Sequence, residues 1–159
     1  MQRKNLTFAA PDVGATNRIR EIANYFNAEM VICDKHRKRA NEISSMVVIG
    51  DVTDRDVVII DDICDTGGTL AKSAGLLKEK GARSVRALIT HPVLSGKAYE
   101  NIENSVLEER VVCDTIPMRK ESSKIKPVSV AELFAVAIRN AYENKSITSL
   151  FIHSQRKDR

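Results

Sequence analysis

The segment Asp61-Asp62-Ile63-Cys64-Asp65-Thr66-Gly67-Gly68-Thr69 follows the β-branched run Val57-Val58-Ile59-Ile60 and places two kinds of chemistry side by side. Thr66 and Thr69 offer hydroxyls, while Gly67 and Gly68 let the backbone turn so that several N–H groups converge at the amino end of a helix. That is a cradle for phosphate. Asp61 and Asp62 cannot serve phosphate, because like charges repel; paired carboxylates accept hydrogen bonds from a vicinal diol or hold a cation. A phosphorylated sugar has both ends. The few residues between the acids and the cradle are comparable to the span of a pentose from its ring hydroxyls to its 5-phosphate.

The segment is neither a Walker loop, which needs Gly-x-x-x-x-Gly-Lys-Ser/Thr, nor a Rossmann Gly-x-Gly-x-x-Gly turn. An ordinary helix-capping turn would account for the Gly-Gly or the Asp-Asp alone. The whole ordered set behind a strand buried on both faces points instead to a ligand.

The elements that must position this loop read as a strand–helix alternation. Leu6 to Ala10 is expected as a strand, Pro11 to Gly14 as a turn, and Ala15 to Phe26 as a helix presenting Ile19, Ile22, Ala23 and Phe26 on one face. Glu29 to Cys33 is the next strand. The charged run Asp34-Lys35-His36-Arg37-Lys38-Arg39 is expected as an exposed loop, and Ser45 to Ile49 as a further extended piece. After Val57 to Ile60, a helix from about Thr69 to Lys80 ends at Gly81, followed by strands at Ser84 to Thr90 and Arg110 to Cys113 around a helix near Lys97 to Asn104. Val130 to Tyr142 is strongly amphipathic, and Ser146 to Ile152 is expected as a short closing strand.

Such alternation implies an α/β fold, a mainly parallel twisted sheet flanked by helices, with ligands beyond the carboxyl ends of the strands. Three loops fall there: Pro11 to Ala15, Asp34 to Asn41, and Asp61 to Thr69. With 159 residues, 43% hydrophobic, the chain is expected as a single domain over 1–159 with residues 1–5 and 155–159 frayed. No Trp and 4% aromatic content leave Val, Ile, Leu and Ala to build the core, as in buried parallel strands. A net charge of +4 suits anionic ligands without specifying nucleic acid. Cys33, Cys64 and Cys113 are widely spaced and fit reduced thiols, and no run has signal-peptide or membrane-span length, so a soluble cytoplasmic protein without membrane contact is expected.

The order of hydrophobic strand, Asp61-Asp62, two residues, and Asp65-Thr66-Gly67-Gly68-Thr69 resembles the binding loop of type I phosphoribosyltransferase folds. Together with Ala10-Pro11-Asp12-Val13-Gly14, Asp34-Lys35-His36-Arg37, Arg39-Ala40-Asn41 and Thr90-His91-Pro92-Val93-Leu94-Ser95-Gly96, it resembles the carboxy-terminal half of ribose-phosphate pyrophosphokinases. The resemblance runs from about Leu6 to Phe151. It implies transfer of the β,γ-diphosphoryl group of Mg-ATP to the 1-hydroxyl of ribose 5-phosphate, giving phosphoribosyl diphosphate and AMP. It further implies Asp61, Asp62, Asp65, Thr66, Gly67, Gly68 and Thr69 as the ribose 5-phosphate site, and Asp12, Val13, Gly14 and Ala15 as the diphosphate loop. Asp12 would meet Mg2+, and Lys35 and Arg37 would be the catalytic cations. ATP and a homo-oligomeric full-length form are the implied partners. The chain departs from the family by Ala15 in place of Gly and His36 in place of Arg, and a Cβ at position 15 hinders binding if the backbone there needs positive φ or very close approach to phosphate. His91, in a Thr-His-Pro turn, is read as structural, and Ser146, Ile147, Thr148 and Phe151 resemble a segment contributing to a regulatory anion site between subunits.

Three functions fit these residues. The first is the pyrophosphokinase domain, incomplete without an amino-terminal half that recognises adenine. The second is a non-catalytic ribose-phosphate-binding or regulatory relative. The third, a free-standing phosphoribosyltransferase acting on a base, lacks an evident hood segment for selecting the base.

Overall fold

The computed structural model describes residues 5–36 and 45–151. Strands β1 (Leu6–Ala10), β2 (Glu29–His36), β3 (Ser45–Ile49), β4 (Asp56–Cys64), β5 (Ser84–Pro92), β6 (Glu109–Cys113) and β7 (Ile125–Val128) form one sheet in the order β3-β2-β1-β4-β5-β6-β7. Only the β2–β3 pairing is antiparallel; the others are parallel. Helices α1 (Thr16–Phe26), α2 (Gly68–Glu79), α3 (Ala98–Glu103) and α4 (Ala131–Tyr142) complete the fold.

Strand periodicity divides the core between two faces. Ala9, Val31, Val57, Ile59, Val85, Ala87 and Val112 point to the side covered by α2 and α3, where they meet Leu70, Ala74, Leu77, Ala98 and Ile102. Phe8 and Ala10 point to the opposite side and pack with Ala15, Ile19 and Ala23 of α1 and its approach. β4 pairs with both β1 and β5, so its apolar run is buried or half-buried along both faces, as a central strand requires. Cys33 and Cys64 are buried free thiols, and Cys113 is half-buried and free. Among the described residues no helix is long and apolar enough to cross a membrane.

Several expectations need correction. Asp34, Lys35 and His36 do not begin an exposed loop: β2 continues through them, paired with Val47, Met46 and Ser45 of β3. A returning antiparallel strand supplies backbone partners whatever the side-chain charge, and the charged composition concealed it. Residues 37–44 lie outside the described residues, and with them Arg37 and the rest of the basic run. Asp61 to Cys64 are likewise the end of β4, paired with Ile89, His91 and Pro92 on β5, so that the loop proper starts at Asp65. β7 was not anticipated, because its four residues, Ile125-Lys126-Pro127-Val128, carry no strand periodicity and include proline. The expected closing strand at Ser146 to Ile152 is absent among the described residues, and Thr148–Leu150 forms a single 3-10 turn. Helix α4 is amphipathic as expected but buries no residue. Of the ends expected to fray, 1–4 and 155–159 lie outside the described residues, whereas the Asn5 carbonyl accepts the Asp56 N–H at 2.8 Å.

Gly50 ends β3 with φ +114, and a Cβ there would lie 2.6 Å from Val31 Cγ1. Gly50→Ala therefore meets both backbone strain and a core clash. It should destabilise the fold by about 2 kcal/mol or more, measured as a lowered urea midpoint with unchanged slope.

Candidate active site

Parallel pairing carries β4 beyond the end of β1 and leaves its carboxylates at the rim of the sheet. Their neighbours make them unequal. Asp61 is half-buried and its pKa is pushed up to about 6, chiefly by desolvation, with the Asp62 and Asp12 carboxylates adding repulsion. Asp62 is exposed and its pKa is lowered, first by Arg18, whose Nη1 donates to Asp62 Oδ2 at 3.1 Å from the first turn of α1. The Asp62 N–H donates to Asp61 Oδ1 at 2.9 Å and the Ile63 N–H to Asp62 Oδ1 at 3.1 Å, which fixes the orientation of each carboxylate. The pair thus holds one readily ionised acid beside one that titrates near neutral pH.

Beyond the acids the backbone makes a left-handed step at Gly67, φ +71, and enters α2 at Gly68. Of the two glycines only Gly67 uses a positive φ. Among the described residues, the N–H groups of Asp65, Thr66, Gly68 and Thr69 meet no backbone acceptor, and the Thr66 and Thr69 side chains are exposed. These donors stand at the start of a 12-residue helix, where the dipole adds partial positive charge. The segment thus brings together donors without backbone partners, two exposed threonines and a helix start.

The turn before α1 lies close enough for the Asp12 charge to act on Asp61. Asp12 Oδ1 accepts the Ala15 N–H at 3.0 Å, and the Val13 carbonyl accepts the Thr16 N–H at 3.2 Å. Ala15 has φ −78 and ψ −10, with its side chain buried against Ile19 and Phe8. No positive φ is needed there, so the expected hindrance from a Cβ at position 15 does not arise from the backbone. Gly14 is the tighter position, since a Cβ there would come 3.1 Å from Asp12 Oδ1. Among the described residues no group of three or more His, Cys, Asp or Glu is gathered to hold a metal. The backbone of Lys35 sits in β2 opposite Met46, while Arg37 lies outside the described residues.

Three polar residues at this rim went unassigned by sequence reasoning. Arg18 partners Asp62, Ser95 Oγ donates to Asp65 Oδ1, and Asn101 Nδ2 donates to the Thr66 carbonyl at 2.9 Å. Each comes from a different element, and no local pattern announces such contacts across 30 to 44 residues of chain. His91 lies not in a turn but in β5, opposite Ile63, and with the Thr115 hydroxyl donating to the Thr90 carbonyl at 2.8 Å, His91 Nδ1 is the donor to Thr115 Oγ1 at 3.0 Å.

Comparison with known proteins places this geometry in a family. A ribose-phosphate pyrophosphokinase of Wolinella succinogenes is 53% identical over 148 residues, 93% of this chain and 48% of that protein. One from Campylobacter jejuni is 51% identical over 94% of this chain, again covering 48% of the relative. The chain therefore spans about half the length of the curated relatives it matches. The crystal structure of phosphoribosylpyrophosphate synthetase from Mycobacterium smegmatis superposes with a TM-score of 0.80 at 30% identity, over 88% of this chain and 46% of that one. Orotate phosphoribosyltransferase from Aeropyrum pernix, at 19% identity and a TM-score of 0.54 over 87% of this chain and 67% of that one, shares the fold. Residues 17–152 match the phosphoribosyl synthetase-associated domain, and the chain belongs to that family.

Proposed function

We propose that this chain is the ribose 5-phosphate-binding part of a ribose-phosphate diphosphokinase, a cytoplasmic enzyme that makes phosphoribosyl diphosphate and AMP from ribose 5-phosphate and Mg-ATP. The observation that carries the reading is the succession, at one strand end, of two carboxylates and a cluster of unclaimed N–H donors at a helix start. Carboxylates would accept the ring hydroxyls, and the donors of Asp65 to Thr69 would take the 5-phosphate. Identity above 50% to ribose-phosphate pyrophosphokinases supports the reaction class.

In this reading Asp12 would hold Mg2+ together with substrate phosphates, and the ion would neutralise the developing charge on the transferred group. The turn Asp12-Val13-Gly14-Ala15 would present its backbone to the diphosphate, with its shape kept by the Asp12 cap on Ala15. Lys35, at the end of β2, and Arg37 would stabilise the phosphoryl transition state. ATP positioning would fall to the part of the relatives' length that this chain does not span. Homo-oligomerisation of the full-length form belongs to the same proposal, and the exposed Leu133, Phe134 and Ile138 of α4 support a further contact there.

Titration calorimetry should detect ribose 5-phosphate binding, and Thr66→Ala combined with Thr69→Val should weaken it by about tenfold or more. Unchanged affinity in the double variant would remove the loop from the site. Asp61→Asn and Asp62→Asn should weaken ribose 5-phosphate while sparing inorganic phosphate, and equal loss of both would refute the division between acids and nest.

The raised Asp61 pKa sets a pH dependence. Ionised Asp61 is the better hydroxyl acceptor, so ribose 5-phosphate affinity should rise with pH through about 6. In Asp61→Asn only the part due to the phosphate's own ionisation should remain. The sign for stability is opposite: with its folded pKa above its unfolded value, Asp61 favours the fold when protonated and loses that contribution as pH rises through about 6. Asp61→Asn should therefore raise Tm at pH 7, by roughly 2–4 °C, and a lowered Tm would contradict the burial argument.

The isolated chain should bind ribose 5-phosphate yet release almost no AMP from Mg-ATP, because phosphoryl transfer depends on holding both reactants in line. In a full-length protein carrying this domain, Lys35→Ala should lower kcat by about 100-fold or more with ribose 5-phosphate affinity nearly intact. Robust AMP release by the isolated chain would place the ATP site within these residues and overturn the half-enzyme reading.

A further inference from the structure

A second layer of contacts lies behind the Asp65 to Thr69 loop. The turn at Leu94 to Gly96 and helix α3 hold it at consecutive residues. The Leu94 N–H donates to the Cys64 carbonyl at 3.1 Å, the Ser95 N–H to the Asp65 carbonyl at 3.0 Å, and Asn101 Nδ2 to the Thr66 carbonyl at 2.9 Å. Ser95 Oγ also donates to Asp65 Oδ1. The spacing is as close as glycine allows: a Cβ on Gly67 would lie 3.1 Å from Ile102 Cγ1 and 3.3 Å from the Ala98 carbonyl oxygen. Helix α3 is itself pinned. The buried Arg110 guanidinium donates through Nη2 to the Ile102 carbonyl at 2.7 Å and to Ser105 Oγ at 2.6 Å, and Lys124 Nζ donates to the carbonyls of Glu103 at 2.6 Å and Ser105 at 3.1 Å.

The peptide group converts these contacts into donor directions. A peptide is planar, so fixing a carbonyl fixes the N–H of the next residue in the opposite sense. Holding the carbonyls of Cys64, Asp65 and Thr66 therefore aims the N–H groups of Asp65, Thr66 and Gly67. The first two meet no backbone acceptor among the described residues, whereas the Gly67 N–H is turned to the Cys64 sulfur. A loop with an exposed threonine on either side of two glycines has many accessible backbone states, and each must be given up when an anion binds. Contacts that remove those states in advance lower that cost.

We propose that Ser95 and Asn101 are positioning residues of the anion site: Ser95 holds Asp65 through its N–H and its hydroxyl, and Asn101 holds the Thr66 carbonyl so that the Gly67 peptide stays turned away, leaving the donors of Asp65, Thr66, Gly68 and Thr69 in place before ligand arrives. The proposal rests on the loop being the phosphate site. It concerns residues that touch the loop and not the ligand.

The test compares Ser95→Ala, Ser95→Thr, Asn101→Leu and the unaltered chain by calorimetry with ribose 5-phosphate and inorganic phosphate, by Tm, and by backbone 15N order parameters of Thr66 to Thr69 in the ligand-free protein. Ser95→Ala and Asn101→Leu should each weaken both ligands by the same factor, about fivefold for one lost hydrogen bond. Order parameters of the loop should fall, those of α2 beyond its first turn should not, and Ser95→Thr should restore both affinity and order. Unchanged loop order in both damaging variants would overturn the clamp. So would a loss of affinity that follows a general loss of Tm and is not rescued by Ser95→Thr. Failure of the unaltered chain to bind either ligand would overturn the functional reading instead, and the ligand-free order parameters would still decide the clamp.

Discussion

The pairing of β4 with β5 is the constraint on which the site depends. Its register runs from Asp56 opposite Ser84 to Cys64 opposite Pro92, well past the last β1 partner at Ile59. A strand anchored by Val57 and Ile59 in the core can carry carboxylates at its far end without bending, because backbone pairing to one neighbour persists where side-chain burial stops. Asp61 is held half-buried among other acids on this rigid extension. An acid on a free loop would swing into water and keep an ordinary pKa; the raised value here is a consequence of strand pairing.

The same extension explains why the acids face different neighbours. Successive residues of a strand point to opposite faces, so Asp61 and Asp62 cannot share one environment. Asp62 reaches Arg18 on α1, while Asp61 stays with the desolvated rim near Asp12. Helix α1 and its approach thus contribute twice to one rim, through Asp12 in the turn that precedes the helix and through the first-turn cation Arg18. Helix α2 contributes its amino end, and α3 only the contacts behind the loop. The two hydrophobic clusters, one on each face of the sheet, are what bring α1 and α2 to opposite sides of β4 with both amino ends near its exit.

How far the sequence disclosed this differs by element. The β-branched run before Asp61 and the glycine-containing turn after it identified β4, the turn at Gly67 and α2, because each depends on local composition. The ends of elements were harder to read. β2 and β4 continue into charged residues where a neighbouring strand offers partners, and the paired strand is distant or follows a hairpin that charge patterning disguises. β7 is defined almost entirely by its partner β6. In the site, acids and hydroxyls were legible by type, but the Arg18, Ser95 and Asn101 contacts arise from packing between elements. Ala15 carries the same lesson in reverse: a departure from the family's glycine looked hindering from composition, yet its φ of −78 and its burial in the α1 cluster show that the backbone there accepts a side chain.

The nest and the acids also oppose one another electrostatically, and the structure contains a partial answer. Asp12 and Asp62 both act on Asp61 beside the Asp65 to Thr69 loop, so on the proposed reading the donors that take a phosphate would have to outweigh nearby negative charge. All four carboxylates accept hydrogen bonds: Asp12 from the Ala15 N–H, Asp61 from the Asp62 N–H, Asp62 from Arg18 and the Ile63 N–H, and Asp65 from Ser95. Asp61, whose own partner is the Asp62 N–H, has its ionisation resisted by burial. Each of these contacts offsets or suppresses part of the negative charge near the start of α2, where N–H groups without backbone partners and the helix dipole add partial positive charge. On the proposed reading, selectivity for a sugar phosphate over a bare anion would follow from the same acids, since hydroxyl groups can turn their residual repulsion into hydrogen bonds.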